Sequence, residues 1–134
     1  MLLQRWLVVG CFALLVVLNV GCPRPAGGEK QAALENSTKA RAKGVAEARE
    51  SIAAGKLKLK EYPPLPSPPY HGKYIQLLRE KCQVEYENVK VPQGVTEADF
   101  ILEVRGWNET MESEIKRKFG EEIFDELLAE AQKK

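Results

Sequence analysis

Chemically versatile side chains are scarce in this sequence. It has one histidine, three cysteines and a formal net charge of +1 over 134 residues. It contains no glycine-rich phosphate loop, no Cys/His spacing typical of a metal site and no motif pairing a nucleophile with a base. A net charge near zero also argues against nucleic-acid binding, which needs a basic face to neutralise phosphates. The sequence therefore predicts no cofactor and no metal, and it favours a non-catalytic protein over an enzyme.

Long hydrophobic runs are also scarce, with one exception at the start of the chain. Arg5 is followed by an apolar run from Trp6 to Val20, then by Gly21 and Cys22. From Trp6 to Gly21 a helix covers about 24 Å, short of the roughly 30 Å hydrocarbon core of a bilayer. This length is typical of the apolar region of an export signal rather than of a membrane-spanning helix.

Gly21 and Cys22 decide which kind of export signal this is. A signal peptidase needs small residues at its cleavage site, and Gly21 supplies one directly before Cys22. The segment resembles the type II (lipobox) signal peptide of bacterial lipoproteins, although Asn19 stands where that pattern has an aliphatic residue. The resemblance implies cleavage at Gly21 and Cys22, lipidation (such as palmitate) of Cys22, and a place in the bacterial cell envelope, anchored to a membrane and facing the periplasm or the exterior. A cleaved signal without lipid and an uncleaved anchor are the alternatives.

Lipidation would also determine the state of the cysteines. Cys11 would leave with the signal and Cys22 would carry lipid, so Cys82 would be the only thiol and no intramolecular disulfide could form. Cys82 follows an apolar-periodic helical segment, where a buried small hydrophobe is the common use of cysteine. Removal of the leader takes only Arg5 from the charges and leaves 19 basic and 19 acidic residues.

Composition divides the remaining chain. Residues Pro23 to Gly28 carry no apolar side chain larger than Ala and predict a flexible tether. An Ala-, Glu- and Lys-rich helix is expected next, with Asn36 to Thr38 as its cap and Gly55 as its end. Its apolar face is thin, so we expect it to pack lightly or to act as a spacer. The predicted organisation is a signal peptide at 1–21, a lipid-anchored tether at 22–36, the Ala-rich helix at 37–55 and a small α+β domain at 56–134.

Two predicted strands flank a proline-rich segment and a helix. Lys56 to Lys60 alternates Lys with Leu, which is typical of a half-buried strand. Tyr62 to Tyr70 is rich in proline and favours an extended connector held down by Tyr62, Leu65 and Tyr70, with a docking ligand for aromatic grooves as the alternative. A helix is expected from about Gly72 to Lys81. A strand over Val84 to Val91 could then pair with the first strand.

The C-terminal region predicts two helices. Thr96 and Asp99 have the spacing of a capping box. Apolar residues then recur every three or four positions, which predicts a helix from Glu97 to about Lys118, although a strand from Phe100 to Val104 competes with its first turns. Gly120 breaks the chain before a last helix. The expected fold class is mostly α (α+β), a small helical domain with a short two-stranded β ribbon.

Few residues are candidates for chemistry. His71 could act as a base or a metal ligand, but no partner lies at ligand spacing around it. Glu85 and Glu87 could form a carboxylate pair, although solvated strand charges are the ordinary interpretation. Gly106 within a helix indicates close packing of another element, with Trp107 in the core. The alternative is a ligand or partner patch that includes Arg105, Trp107, Asn108 and His71.

Two functional hypotheses follow. The first is a membrane-anchored, non-catalytic interaction or structural module, bound to the membrane through Cys22 and contacting an envelope protein or polymer. The second is a small envelope hydrolase or ligand-binding domain. Neither is identified further by the sequence.

Overall fold

The computed structural model describes residues 27–64 and 66–133. The leader, Gly21, Cys22 and the first residues of the expected tether lie outside that part of the chain, as does Leu65. The described elements are α1 (Gly27–Ala53), β1 (Leu57–Glu61), α2 (His71–Cys82), β2 (Val84–Asn88), α3 (Glu97–Phe119) and α4 (Ile123–Gln132).

The predicted fold class is confirmed, because four helices accompany one small sheet. β1 and β2 pair in parallel, with Leu57 opposite Val84 and Glu61 opposite Asn88. A parallel pair needs a crossover connection, and α2 with the proline-rich segment supplies it. The second strand is shorter than expected, since it ends at Asn88.

The two faces of the sheet differ as the alternation predicts. Leu57 and Leu59 are buried under the helices. On the opposite face the Lys58 ammonium lies 3.1 Å from a Glu87 carboxylate oxygen and 3.5 Å from one of Glu85. These ion pairs hold the pKa of Lys58 above its ordinary value, chiefly through the hydrogen bond to Glu87. Glu85 and Glu87 are thus solvated strand charges that pair with Lys58.

One continuous core lies between the sheet and the helices. Parallel two-stranded sheets are stable only when helices cover them, and here one buried cluster joins the inward strand residues to side chains from all four helices. The fully buried members include Leu78, Met111, Ile115 and Leu127. The cluster also contains Ala48, Leu57, Leu59, Leu77, Cys82, Val84, Trp107, Ile123 and Ala131.

α3 begins as the sequence predicts. The Thr96 hydroxyl oxygen accepts the Asp99 backbone N–H at 3.2 Å, and the same hydroxyl donates to the Asp99 carboxylate at 2.7 Å. The helix then continues without a break to Phe119, so the competing strand over Phe100 to Val104 is wrong. Gly120 ends α3 with φ +111°, which favours glycine.

α1 begins earlier than the sequence predicts. Ser37 and Thr38 do not cap it: both lie inside the helix, and each hydroxyl donates to the Leu34 carbonyl, at 2.8 and 2.9 Å. Hydroxyls satisfied by the preceding turn no longer compete with the helical backbone, and the surrounding Ala, Glu and Lys favour helix. Residues 27–36 of the expected tether are therefore helical.

α1 also packs more closely than its thin apolar face predicts, because glycines lie at its contact with α3. A Cβ on Gly44 would stand 1.9 Å from the Glu103 carbonyl oxygen, and one on Gly106 would stand 2.4 Å from that of Arg41. The two backbones thus touch. The helix crossing predicted at Gly106 is confirmed, whereas the light packing predicted for α1 is wrong. Gly44, the glycine of α1 at this crossing, was not predicted from the sequence.

Charged pairs flank this crossing. The Lys43 ammonium donates to a Glu103 carboxylate oxygen at 2.9 Å, and Glu103 is a buried charged residue. That hydrogen bond is the main reason why the pKa of Lys43 is raised. Arg41 pairs with Glu109 on the exposed side. The crossing therefore combines backbone contact with ion pairs.

The proline-rich connector is held at both ends. The ring of Tyr62 packs edge-on against Phe100, with centroids 5.0 Å apart, and its hydroxyl donates to Glu97 at 2.9 Å. At the other end Tyr70 packs against the core. Both tyrosines therefore act as the connector interpretation expects.

Candidate functional site

The outer edge of β1 is occupied by side chains of α3. Asn108 accepts the Lys60 backbone N–H at 2.9 Å and donates to the Lys60 carbonyl at 2.7 Å. Trp107 donates its indole N–H to the Lys58 carbonyl at 2.7 Å. β2 pairs with the other edge, so α3 satisfies backbone groups that would otherwise face solvent or a third strand. The edge is thereby closed and α3 is fixed in register with the sheet.

Lys60 has an unusual environment beside this edge. Its ammonium lies 3.7 Å from the centroid of the Trp107 ring and 3.9 Å from a Glu47 carboxylate oxygen. Burial lowers the pKa of Lys60, and nearby carboxylates, Glu47 first among them, oppose that shift. A cation on an indole face is stabilised by the ring quadrupole. The charge of Lys60 is therefore already matched from two sides.

A cleft of about 410 Å³ opens beside the outer edge of β1. The ends of the strands form one wall, and α2, α3 and the start of α4 form the others. Its size is within the range of small-molecule sites, and it combines aromatic rings with several polar groups. The lining residues are Leu59, Lys60, Tyr74, Tyr86, Asn108, Glu112, Lys116, Glu121, Phe124 and Asp125.

Titratable groups in the cleft are perturbed by burial. Burial, reinforced by Tyr86, Glu112 and Asp125, raises the pKa of Tyr74 to about 12. Burial also raises the pKa of Tyr86. The pKa of the Glu112 carboxyl rises for the same reason, since burial exceeds the opposing effect of Lys116. Perturbed groups gathered in one concave site are a recognised sign of function.

The rim of the cleft carries an ion pair. The Lys116 ammonium donates to a Glu121 carboxylate oxygen at 3.0 Å, across the turn between α3 and α4. This hydrogen bond is the first cause of the raised pKa of Lys116. An ion pair that spans Gly120 therefore helps to hold the rim.

The four residues that the sequence suggests as a partner patch lie in different environments. Trp107 and Asn108 bind β1, and Asn108 also lines the cleft. Arg105 is exposed and lines a shallower groove with Tyr62. His71 begins α2, with its ring edge-on to Tyr86 at a centroid distance of 5.6 Å. Membership of a patch stays a prediction for these four.

The cysteine and histidine assignments can be compared with the geometry. Cys82 is 1% exposed, and burial raises the pKa of its thiol. It therefore packs as the small hydrophobe that the sequence predicts. His71 forms no side-chain hydrogen bond with any residue in the described ranges. Among the described side chains, residues 32–64 and 66–133, His, Cys, Asp and Glu do not gather in threes as a metal site would need.

Sequence reasoning missed the cleft because its aromatic residues look like ordinary core residues. Tyr74, Tyr86 and Phe124 do pack against the core, but one side of each remains open. A usable signal was present in α3. Asn108, Glu112 and Lys116 recur every four residues, so three polar side chains share one helix face beside the apolar stripe.

No protein-family model matches this chain, and no significant match exists among the curated proteins or the solved structures that were compared with it. None of the helices in the described part of the chain is both long enough and apolar enough to cross a bilayer.

Proposed function

We propose that this chain is a membrane-anchored lipoprotein of the bacterial cell envelope whose folded domain is a non-catalytic binding module. Cys22 carries the lipid, and the cleft beside β1 is the binding site. The observation that supports the binding role is the cleft, because it is a concave, aromatic-lined site with perturbed titratable groups. The alternative hypothesis was a small envelope hydrolase or ligand-binding domain. Of these two roles, the cleft favours ligand binding.

The arrangement of α1 supports a tethered module. Residues 32–36 are exposed, and Leu34 retains 67% of its accessible surface. From Gly27 to the crossing at Gly44 the helix covers about 25 Å. Because α1 starts five residues after Cys22, it serves as a semi-rigid spacer that holds the cleft away from the lipid surface.

Hydrolysis has less support from the geometry. His71 was the main candidate base, and its ring lies against Tyr86 rather than against a carboxylate. A general base needs hydrogen-bond reach to a nucleophile or to water held in a site. The ordinary role of His71 here is to pack on the ring that forms one wall of the cleft.

The anchor is tested by metabolic labelling with an alkyne analogue of palmitate in a bacterial host. We expect label on the wild-type chain and on Cys11→Ala, the matched control in the same leader, and none on Cys22→Ala. Intact mass of the wild type should match a chain that begins at a lipidated Cys22. A full-length, unshifted mass would contradict the lipoprotein proposal.

Binding through the cleft is tested by crosslinking and pull-down from native membranes. Asp125→Arg places a bulky cation in the cleft and should remove the associated protein or polymer, whereas Glu126→Arg, one residue further along α4, should retain it. Circular dichroism checks that both variants fold. If nothing associates with the wild type, the binding module is refuted. If both variants retain the associate, the binding surface lies elsewhere.

A further inference from the structure

The charges of the cleft are unevenly compensated. Lys60 is matched by Trp107 and Glu47, and Lys116 is matched by Glu121. Both lysines of the lining are therefore already paired. The lining therefore offers an incoming anion no unmatched lysine.

The other two carboxylates of the lining have no such partner. Among the described side chains, residues 32–64 and 66–133, no Lys, Arg or His nitrogen lies within 4.0 Å of a carboxylate oxygen of Glu112 or Asp125, and the charge of Lys116 acts on both only from a longer distance. Both residues line the cleft together with Tyr74, and both contribute to the raised pKa of that tyrosine. They come from different helices, α3 and α4, so the fold brings together two acidic groups that no sequence motif joins.

Aromatic surface completes this part of the cleft. Tyr74, Tyr86 and Phe124 come from three different elements and are partly open to it. Aromatic faces attract cations and also bury alkyl chains. Carboxylates beside aromatic rings form the combination that recognises ammonium groups in general.

We propose that the cleft binds an alkylammonium group, with the ammonium held by Glu112 and Asp125 and the alkyl part against Tyr74, Tyr86 and Phe124. The inference rests on the proposed binding function and names its ligand chemistry. Two sources share this chemistry: a free aliphatic amine and the lysine-type side chain of a polypeptide. The positive charge of a bound cation would also oppose the effect of burial on Glu112 and lower its pKa.

The test uses the purified full-length chain in detergent micelles and two-dimensional nuclear magnetic resonance. 1,5-Diaminopentane is titrated to about 20 mM, beyond the millimolar dissociation constant expected of a small site. Its neutral isostere, 1,5-pentanediol, is titrated in parallel. We expect shifts of cleft resonances with the amine and none, or far smaller ones, with the diol. Nα-acetyl-lysine amide tests the polypeptide source, and tighter binding than that of the diamine would assign it.

Charge-neutralising variants locate the ammonium. Glu112→Gln and Asp125→Asn should each weaken amine binding roughly three- to fivefold, the range of a solvent-accessible ion pair, and the double variant should abolish it. Glu126→Gln, which removes a charge from α4 outside the cleft, should bind like the wild type. If Glu126→Gln weakened amine binding equally, the effect would come from the overall charge of the protein, and the inference would be overturned.

The outcomes separate this inference from the proposed function. Equal shifts with amine and diol, or no shift with the amine, overturn the ammonium specificity. The pull-down with Asp125→Arg is a separate measurement, so the binding module can survive that result. Amine shifts confined to Glu112, Asp125 and the three rings would support both proposals.

Discussion

The side chain of Asn108 hydrogen-bonds both backbone polar groups of Lys60, accepting the N–H at 2.9 Å and donating to the carbonyl at 2.7 Å. An amide on a helix thus makes the two bonds that a neighbouring strand would make. Since the other edge of β1 is taken by β2, this contact fixes the position of α3 against the sheet. The same residue lines the cleft, so sheet closure and site construction depend on one side chain.

Replacing Asn108 should therefore destabilise the fold. Asn108→Leu keeps the approximate volume but removes both hydrogen bonds and leaves the partly buried Lys60 backbone groups unpaired. We expect the free energy of unfolding to fall by about 2 kcal/mol in denaturant titration. Asn88→Leu, at an exposed position at the end of β2, is the matched control and should change it by less than about 0.5 kcal/mol. Equal losses in both variants would show that Asn108 has no special role.

The helix crossing gives a second prediction, with an unusual sign. Alanine normally stabilises a helix relative to glycine by about 1 kcal/mol. Gly44→Ala and Gly106→Ala should instead each destabilise the protein by about 2 kcal/mol or more, because the new Cβ would meet backbone of the partner helix. Gly72→Ala, in α2 with open space around its position, should be neutral or stabilising. Thermal unfolding of the three variants provides the comparison.

The sequence predicts the helical elements well where the local signals are strong. Thr96 with Asp99 marks the start of α3, and spacing by threes and fours carries it through Met111 and Ile115 to Gly120. Capping and amphipathic periodicity are local properties, so they can be read without the fold. The start of α1 was missed because Ser37 and Thr38 resemble a cap, while their hydroxyls are satisfied within the helix.

Other features depend on contacts between distant residues. The parallel sense of β1 and β2 follows from the path of α2, which no strand pattern encodes. Gly44 could have been noted as a glycine inside an Ala-rich helix, but its partner Gly106 lies in another element. Glu112 and Asp125 likewise line the same cleft only because α4 packs against the rest of the fold. His71 was selected for its chemistry, although its position gives it a packing contact.

A third prediction concerns alkaline pH. Tyr74 has a pKa of about 12 in the folded protein, above its ordinary value of 10.0, chiefly because burial disfavours the phenolate. Stability that depends on the protonated phenol is complete below pH 10 and is lost as the pH rises toward 12. Over this pH range, the free energy of unfolding should fall by on the order of 2 kcal/mol less in Tyr74→Phe than in the wild type. Thermal melts of both proteins between pH 9 and 12 measure the difference, and parallel curves would contradict the assignment.

A fourth prediction concerns Cys82. Because the thiol is buried and its pKa is raised, we expect a disulfide reagent to modify native protein at least about a hundredfold more slowly than unfolded protein. The background Cys11→Ala with Cys22→Ala leaves Cys82 as the only thiol. Rapid modification under native conditions would show that α2 opens readily at its end. Cys82→Ser should destabilise the fold, since it buries a hydroxyl in an apolar core.

The contact between α1 and α3 has a consequence for the order in which the chain acquires structure. Gly44 packs against the Glu103 backbone and Asn108 closes the outer edge of β1, so α1 and that edge find their partners in α3 only after residue 108 has been made. Contacts of such sequence separation are slow to form, because closing the long intervening segment costs conformational entropy before the contact stabilises anything. A chain still emerging from a ribosome therefore lacks these contacts until α3 has been made. The N-terminal helix and the outer edge of the sheet are therefore completed by the C-terminal half of the chain rather than by their neighbours in sequence.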